Sequence, residues 1–178
     1  MNLKEHYQKN VIPEMQKKFG YKNILSTPRI TKLVVNVGIS SGLKDERARE
    51  LIKETVTLVS GQRPIEKKAK KSVAGFKVRQ GQVVGLMTTI RGQRMYDFLE
   101  RLTWLTFPRI RDFRGLQSGI MDKHGNATIG FRDALAFPEI KAGDAQRQHG
   151  LEITVVTTAK TQAEGLELLK LMGFPFRS

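Results

Sequence analysis

The chain of 178 residues has about the length of one domain, enough to bury a substantial core, and its 39% hydrophobic content is globular rather than the apolar-poor composition of a disordered segment. It contains no cysteine, which excludes disulfides, thiolate metal sites and cysteine nucleophiles. With 31 Lys and Arg against 17 Asp and Glu, the net charge is +14 and the isoelectric point about 10.2, so polyanions are the expected partners. The charge is also concentrated. Residues 63–115 hold 13 basic and 4 acidic side chains, +9 of the total, whereas 133–178 sums to −1. That favours a nucleic-acid footprint over a diffusely basic surface or a membrane-phosphate contact. The N-terminal MNLKEHYQKN lacks the apolar run of a signal peptide, and no stretch approaches the ~18 apolar residues of a membrane span, so a cytoplasmic protein is expected.

In chain order, Leu3, Tyr7, Val11, Met15 and Phe19 recur every four positions ahead of Gly20, the pattern of an amphipathic helix with a glycine C-cap; Pro13 would kink it or open a second helix. Ile30 to Gly38 alternates instead, with Leu33, Val35 and Val37 on one face and Lys32, Val34 and Asn36 on the other. Asp45 is placed to cap a helix carrying Ala48, Leu51, Ile52, Leu58 and Val59 and stopping near Ser60 and Gly61. Between Pro64 and Val83 the chain is too basic and glycine-rich for a core strand and reads as an exposed loop or long hairpin. Strand alternation returns over Val84 to Arg91, with Val84, Leu86 and Ile90 opposite Gly85, Met87, Thr89 and Arg91. A helix over 94–105, with Met95, Phe98, Leu99, Leu102 and Trp104 in the core, is expected to close before Pro108. His124-Gly125-Asn126 reads as a hairpin turn into a strand over Ala127 to Phe131, and Leu151 to Thr157 as a further strand. Thr161 and Glu164 have capping-box spacing ahead of a last helix ending at Gly173. Short hairpins and longer helical connections predict an α+β fold: a single domain, 1–178, with a largely antiparallel sheet, helices packed on one face, the other face open to RNA, and an extended basic loop at about 65–83.

No chemistry of catalysis is legible. His6, His124 and His149 have no metal-ligand spacing and are expected to be exposed and non-catalytic; no phosphate-cradling GxxxxGK[ST] loop exists; and the carboxylates are scattered among basic neighbours. No enzyme, cofactor or metal is expected. The basic segments are more informative. Lys67, Lys68, Lys70 and Lys71 are either a solvated charge run, or a nuclear-import signal, or phosphate contacts, and the mixture that follows, SVAGFKVRQG, favours close approach to an RNA strand. Phe76 either packs under its own loop or stacks on a base. In PRIRDFRG, Arg109, Arg111 and Arg114 either clamp phosphates or belong to a structural loop in which Asp112 pairs an arginine and Phe113 enters the core.

Taken together, KSVAGFKVRQG, TTIRGQRMYDFLERL, PRIRDFRGL, FPEI, LEITVVTTAK and the terminal GFPF resemble the bacterial-type large-subunit ribosomal protein that binds 5S rRNA, the ribosomal protein L5 family, over nearly the whole chain. The resemblance implies a cytoplasmic ribosomal scaffold in the central protuberance, with 5S rRNA, 23S rRNA, peptidyl-site tRNA and a small-subunit head protein at a subunit bridge as partners. It implies a 5S rRNA surface of Arg29, Lys32, Asn36, Gln62, Thr89 and Arg91. It further implies rRNA phosphate contacts at the lysines and arginines named above, and a tRNA-contacting loop of Ser72, Val73, Ala74, Gly75, Phe76, Lys77, Val78, Arg79, Gln80 and Gly81. Gln82-Val83 after RQG, and Lys141-Ala142-Gly143 after FPEI, depart from the usual pattern of that family. A free RNA chaperone or tRNA-binding factor and an RNA-modifying enzyme are the rival readings.

Overall fold

A computed structural model describes residues 2–39, 46–141 and 149–177. The amphipathic N-terminal segment forms α1 (Leu3–His6), a π-helical turn (Tyr7–Val11) and α2 (Ile12–Phe19), ended by Gly20 in the left-handed conformation at φ +72°. Strand β1 is Ile30–Gly38, α3 is Glu46–Ser60, β2 is Ile65–Lys68 and β3 is Val83–Ile90. Helix α4 (Gln93–Arg101), a second π-helical turn (Leu102–Thr106) and α5 (Phe107–Arg109) run on from one another. Strands β4 (Ala127–Phe131) and β5 (Leu151–Thr157) and helix α6 (Gln162–Leu171) complete an α+β fold. The expected cap at Asp45 lies outside the described residues.

The strands form one five-stranded antiparallel sheet in the order β2-β3-β1-β5-β4. Along β1, buried Leu33, Val35 and Val37 alternate with half-exposed Lys32, Val34 and Asn36. In β3 the buried Leu86, Thr88 and Ile90 likewise alternate with half-exposed Met87 and Thr89. The alternation read from the sequence is the alternation of burial in β1 and from Leu86 onward in β3, while at the start of β3 Val84 is half-exposed and Gly85 buried, against the reading.

By its internal packing the chain divides into two compact units, one of residues 1–33, 90–129 and 154–178, the other of 34–89 and 130–153; β1, β3, β4 and β5 each contribute to both. In the first, the stripe Leu3, Tyr7, Val11 and Met15 is buried with Met95, Phe98, Leu99 and Leu102 of the α4 segment and with Leu168, Leu169 and Met172. In the second, Ile52, Val56 and Val59 of α3 are buried with Val35, Val37, Leu86, Phe131, Phe137 and Ile153, while Leu58, expected on the apolar face of α3, is about half exposed.

Three expectations are corrected. The helix does not close before Pro108: Thr106 and Phe107 both keep right-handed helical angles, and Pro108 opens α5. The preceding π turn provides the physical reason. There the N–H of Phe107 bonds back five residues to the carbonyl of Leu102, and this wider turn moves the carbonyl four residues before the proline away from its ring. The same device precedes Pro13, where the N–H of Ile12 donates to the carbonyl of Tyr7. Trp104 is not in the core. It is 73% exposed, since it stands two residues beyond Leu102, about 200° round the helix from the buried stripe, and Leu105 beside it is 50% exposed. Nor are all the histidines exposed: His6 is half-buried, its Nε2 2.9 Å from the carbonyl oxygen of Leu171, and His149 is buried.

At His149, Nδ1 lies 3.3 Å from the carbonyl oxygen of Gly150, while Nε2 is buried without a hydrogen-bond partner among the described residues. Burial pushes its pKa below the ordinary histidine value, against a smaller upward effect of the Gly150 contact. Because the unfolded imidazole titrates near ~6.5, the unfolded chain binds the extra proton as the pH falls. The stability held at neutral pH is then lost below about pH 6.5. Thermal denaturation is expected to show a lower Tm at pH 5.5 than at 7.5, with a flatter dependence in His149→Gln; identical profiles for the two proteins would refute a buried neutral imidazole.

Candidate nucleic-acid interface

The most cationic feature is an arm in the second unit. Strand β2, all four residues exposed, pairs antiparallel with β3 at Ile65↔Met87, Glu66↔Leu86 and Lys67↔Gly85, then shifts register so that Lys68 faces Val83. Val84, skipped by that shift, accepts the N–H of Ile39 through its carbonyl at 2.9 Å. Beyond the strands the hairpin continues. The Ala69 N–H donates to the Gln82 carbonyl at 2.8 Å, the Gly81 N–H to the Ala69 carbonyl at 2.9 Å, and Val73 bridges Val78. The tip is a single 3-10 turn, Ala74–Phe76 with Gly75 at its centre, closed by Lys77 in the left-handed conformation at φ +51°. Side chains brace it from within: Ser72 Oγ accepts the Gln80 N–H at 2.9 Å, and Gln82 Oε1 accepts the Arg79 N–H at 3.2 Å.

This is an ordered projection. Phe76 is 77% exposed at its end, so it does not pack under its own loop and presents its ring outward. Lys67, Lys68, Lys70 and Lys71 are exposed, and no ion pair among the described residues neutralises them. Four ammonium groups on one hairpin repel one another, and an exposed polyphosphate relieves that repulsion while releasing its own counterions.

Of the sheet-face candidates, Asn36, Gln62 and Thr89 belong to the second unit. Gly85 is required here by close approach. A Cβ on it would stand 3.0 Å from the Val37 carbonyl oxygen and 3.9 Å from Asn36 Oδ1, so the Asn36 carboxamide lies beside a backbone stripped of side chain. Gln62 follows α3, its N–H donating to Ser60 Oγ at 3.2 Å and its Oε1 3.5 Å from Thr88 Oγ1.

Arg29, Lys32 and Arg91 belong to the first unit. Lys32 is half-exposed; Arg29 and Arg91 are exposed. Arg29 is bracketed: its N–H donates to Thr158 Oγ1 at 3.0 Å, its carbonyl accepts the Thr158 N–H at 2.9 Å, and the buried Tyr7 hydroxyl donates to the neighbouring Pro28 carbonyl at 3.0 Å. Burial, with a smaller contribution from Tyr96, raises the Tyr7 pKa to about 12 against the opposing charge of Arg29, which keeps the phenol a donor. The sequence shows Tyr7 as a core position of an amphipathic helix. Nothing in its spacing announces the partner 21 residues away.

Of the structural-loop alternative after α5, the packing of Phe113 is found and the pairing of Asp112 with an arginine is not. Phe113 stacks on buried Phe107 with ring centroids 5.3 Å apart and planes at 6°, and Phe174 meets Phe107 edge-on at 6.0 Å. The C-terminal segment pins the loop further, the Leu116 N–H donating to the Pro175 carbonyl at 2.7 Å and the Arg177 N–H to the Leu116 carbonyl at 2.9 Å. Asp112 turns the chain at φ +56° and forms no ion pair with an arginine among the described residues. Arg109, Arg111 and Arg114 are all exposed on this aromatic footing. No group of three or more His, Cys, Asp or Glu side chains suited to a metal exists among the described residues, and no helix among them is long and apolar enough to cross a membrane.

Two family models match the chain, ribosomal protein L5 over residues 23–79 and the C-terminus of the same ribosomal family over 83–176. Among similar proteins, large ribosomal subunit protein uL5 of Carboxydothermus hydrogenoformans is 47% identical over 174 residues, covering 98% of this chain and 97% of its own. The uL5 proteins of Dehalococcoides mccartyi strain 195 and Dictyoglomus turgidum are 44% and 46% identical, each covering at least 98% of both chains. These likenesses define the class: a structural, non-enzymatic protein of the large ribosomal subunit. The chain belongs to the ribosomal protein L5 family.

Proposed function

We propose that this protein binds 5S rRNA and attaches it to 23S rRNA in the central protuberance of a cytoplasmic ribosome. In this reading its basic arm, Ser72 to Gly81, touches peptidyl-site tRNA, and its surface contributes to a bridge with a small-subunit head protein. The observation that carries the reading is the polar, half-exposed side of β1 and β3 within the second unit, where Asn36 and Thr89 alternate with buried Val35, Val37, Leu86 and Thr88. A strand with a dry face and a face of short polar and cationic side chains suits recognition of folded RNA by shape, through 2′-hydroxyl and phosphate contacts. The lysines of the arm and the arginines after α5 supply the nonspecific electrostatic share.

Asn36→Ala and Thr89→Ala are each expected to weaken 5S rRNA binding by roughly tenfold, about the free energy of one hydrogen bond to a charged group, with unchanged thermal stability. Electrophoretic mobility shift at fixed salt measures it. Wild-type affinity in both variants would move the RNA surface elsewhere on the protein. Cosedimentation with large subunits through a high-salt wash separates a stable scaffold from a loosely associating RNA chaperone.

A further inference from the structure

Trp104 and Leu105 form an apolar knob on the π turn between α4 and α5, and nothing in the sheet-face or arm reading uses it. Leaving a tryptophan 73% exposed forgoes one of the largest burial gains a side chain offers and leaves its ring open to a flat partner.

The surroundings select the partner. The next turn brings Pro108 and exposed Arg109, followed by Arg111 and Arg114. On the preceding turns, Arg101 lies over the Phe98 ring at 5.8 Å, Arg94 is exposed, and Asp97 accepts a hydrogen bond from Gln93 Nε2 at 3.0 Å; Glu100 is half-exposed. The first unit as a whole carries 17 basic and 8 acidic side chains, a balance of +9. A protein partner would want a broad patch, typically about 20–30 residues a side, whereas here two apolar side chains give way within one turn to cations. An exposed flat ring five residues ahead of an exposed arginine has the composition of a nucleotide-stacking platform. We propose that Trp104 stacks on an unpaired RNA base while Arg109 meets the adjoining phosphate.

Trp104 is the only tryptophan of the chain, so its emission reports this contact alone. The full-length protein is titrated with a ten-nucleotide uridine-rich single strand, and separately with a duplex of equal length, while labelled-RNA anisotropy follows binding independently. The single strand is expected to quench the emission strongly and the duplex to leave it nearly unchanged. Trp104→Ala should weaken single-strand binding by about tenfold, Trp104→Phe by much less, and neither should alter 5S rRNA affinity at the sheet face. That last readout keeps failure of the stacking site distinct from failure of the 5S reading. Single-strand binding seen by anisotropy without quenching would overturn the proposal. So would an emission change that follows protein concentration without RNA and coincides with dimers in sedimentation, because the knob would then pair two copies of the chain.

Discussion

Replacing Lys67, Lys68, Lys70 and Lys71 together by glutamine is expected to lower rRNA affinity by roughly a hundredfold at low salt and far less at high salt. Each neutralised phosphate contributes a little under one to the slope of log affinity against log salt, so four lost contacts should flatten that slope by about three. The fold should survive, since all four side chains are exposed and surface changes of this kind cost within about 0.5 kcal/mol each. One control matters. Strand β2 is an edge of the sheet, and lysines on an edge discourage pairing with another chain; the variant's monomeric state is therefore checked by sedimentation before binding is measured. A hundredfold loss with an unchanged salt slope would mean that the lysines act on the protein's structure rather than on phosphates.

The second large effect is on stability. Gly165 lies on α6 against the hairpin turn at Gly125, and a Cβ there would stand 2.6 Å from the Gly125 Cα and 2.7 Å from Met121 Cε, nearer still to the Gly125 carbonyl. Helix propensity alone predicts that Gly165→Ala stabilises α6 by about 1 kcal/mol. Backbone overlap opposes this and wins, because a turn held at both ends cannot step aside. The Gly125 carbonyl accepts the Thr157 hydroxyl at 2.8 Å, and Asn126 Oδ1 accepts the Thr157 N–H at 3.0 Å. On the turn's other side, the Asp122 carboxylate accepts the His124 and Asn126 N–H groups at 2.9 and 2.7 Å. Gly165→Ala is expected to destabilise the protein by about 2–4 kcal/mol, read as a lower urea midpoint at unchanged m value. A midpoint at or above wild type would show that the turn yields.

Strand faces and helix stripes were legible because period-2 and period-3.6 apolar spacing maps directly onto burial: Leu33, Val35 and Val37 went inside, as did Leu3, Val11 and Met15. Gly20, Gly61 and Gly173 ended helices in the left-handed conformation as their positions suggested. Thr161 and Glu164 did act at the start of α6, Thr161 Oγ1 accepting the Glu164 N–H at 3.3 Å and the Glu164 carboxylate accepting the N–H of Lys160 at 2.8 Å. What escaped the sequence depends on register within a helix or on distant partners. A π turn leaves no composition signal, so a helix that runs on through Pro108 is not legible, whereas the exposure of Trp104 follows from its own offset from the Leu99 and Leu102 stripe. The bracket on Arg29 joins residues that only the folded sheet brings together. Of the candidate interface, the basic residues could be named from their spacing, whereas the ordered hairpin beneath the arm rests on Ser72, Gln82 and a valine bridge that read as ordinary loop residues.

The interleaving of the two units bears on how the chain can fold as it is made. Strand β1 is synthesised early, yet its neighbour β5 ends at Thr157, and the bonds that seat Arg29 reach across 129 residues to Thr158. The helix stripe at the N-terminus waits still longer, since His6 meets Leu171, 165 residues on. Neither unit can close before β5 is made, so the lysines of the arm emerge while the sheet that will carry them is incomplete. High sequence separation of native contacts slows folding and lengthens exposure of unpaired strands. A nascent chain of this design closes its sheet only after β5 is made, about 80 residues after the arm's lysines have emerged.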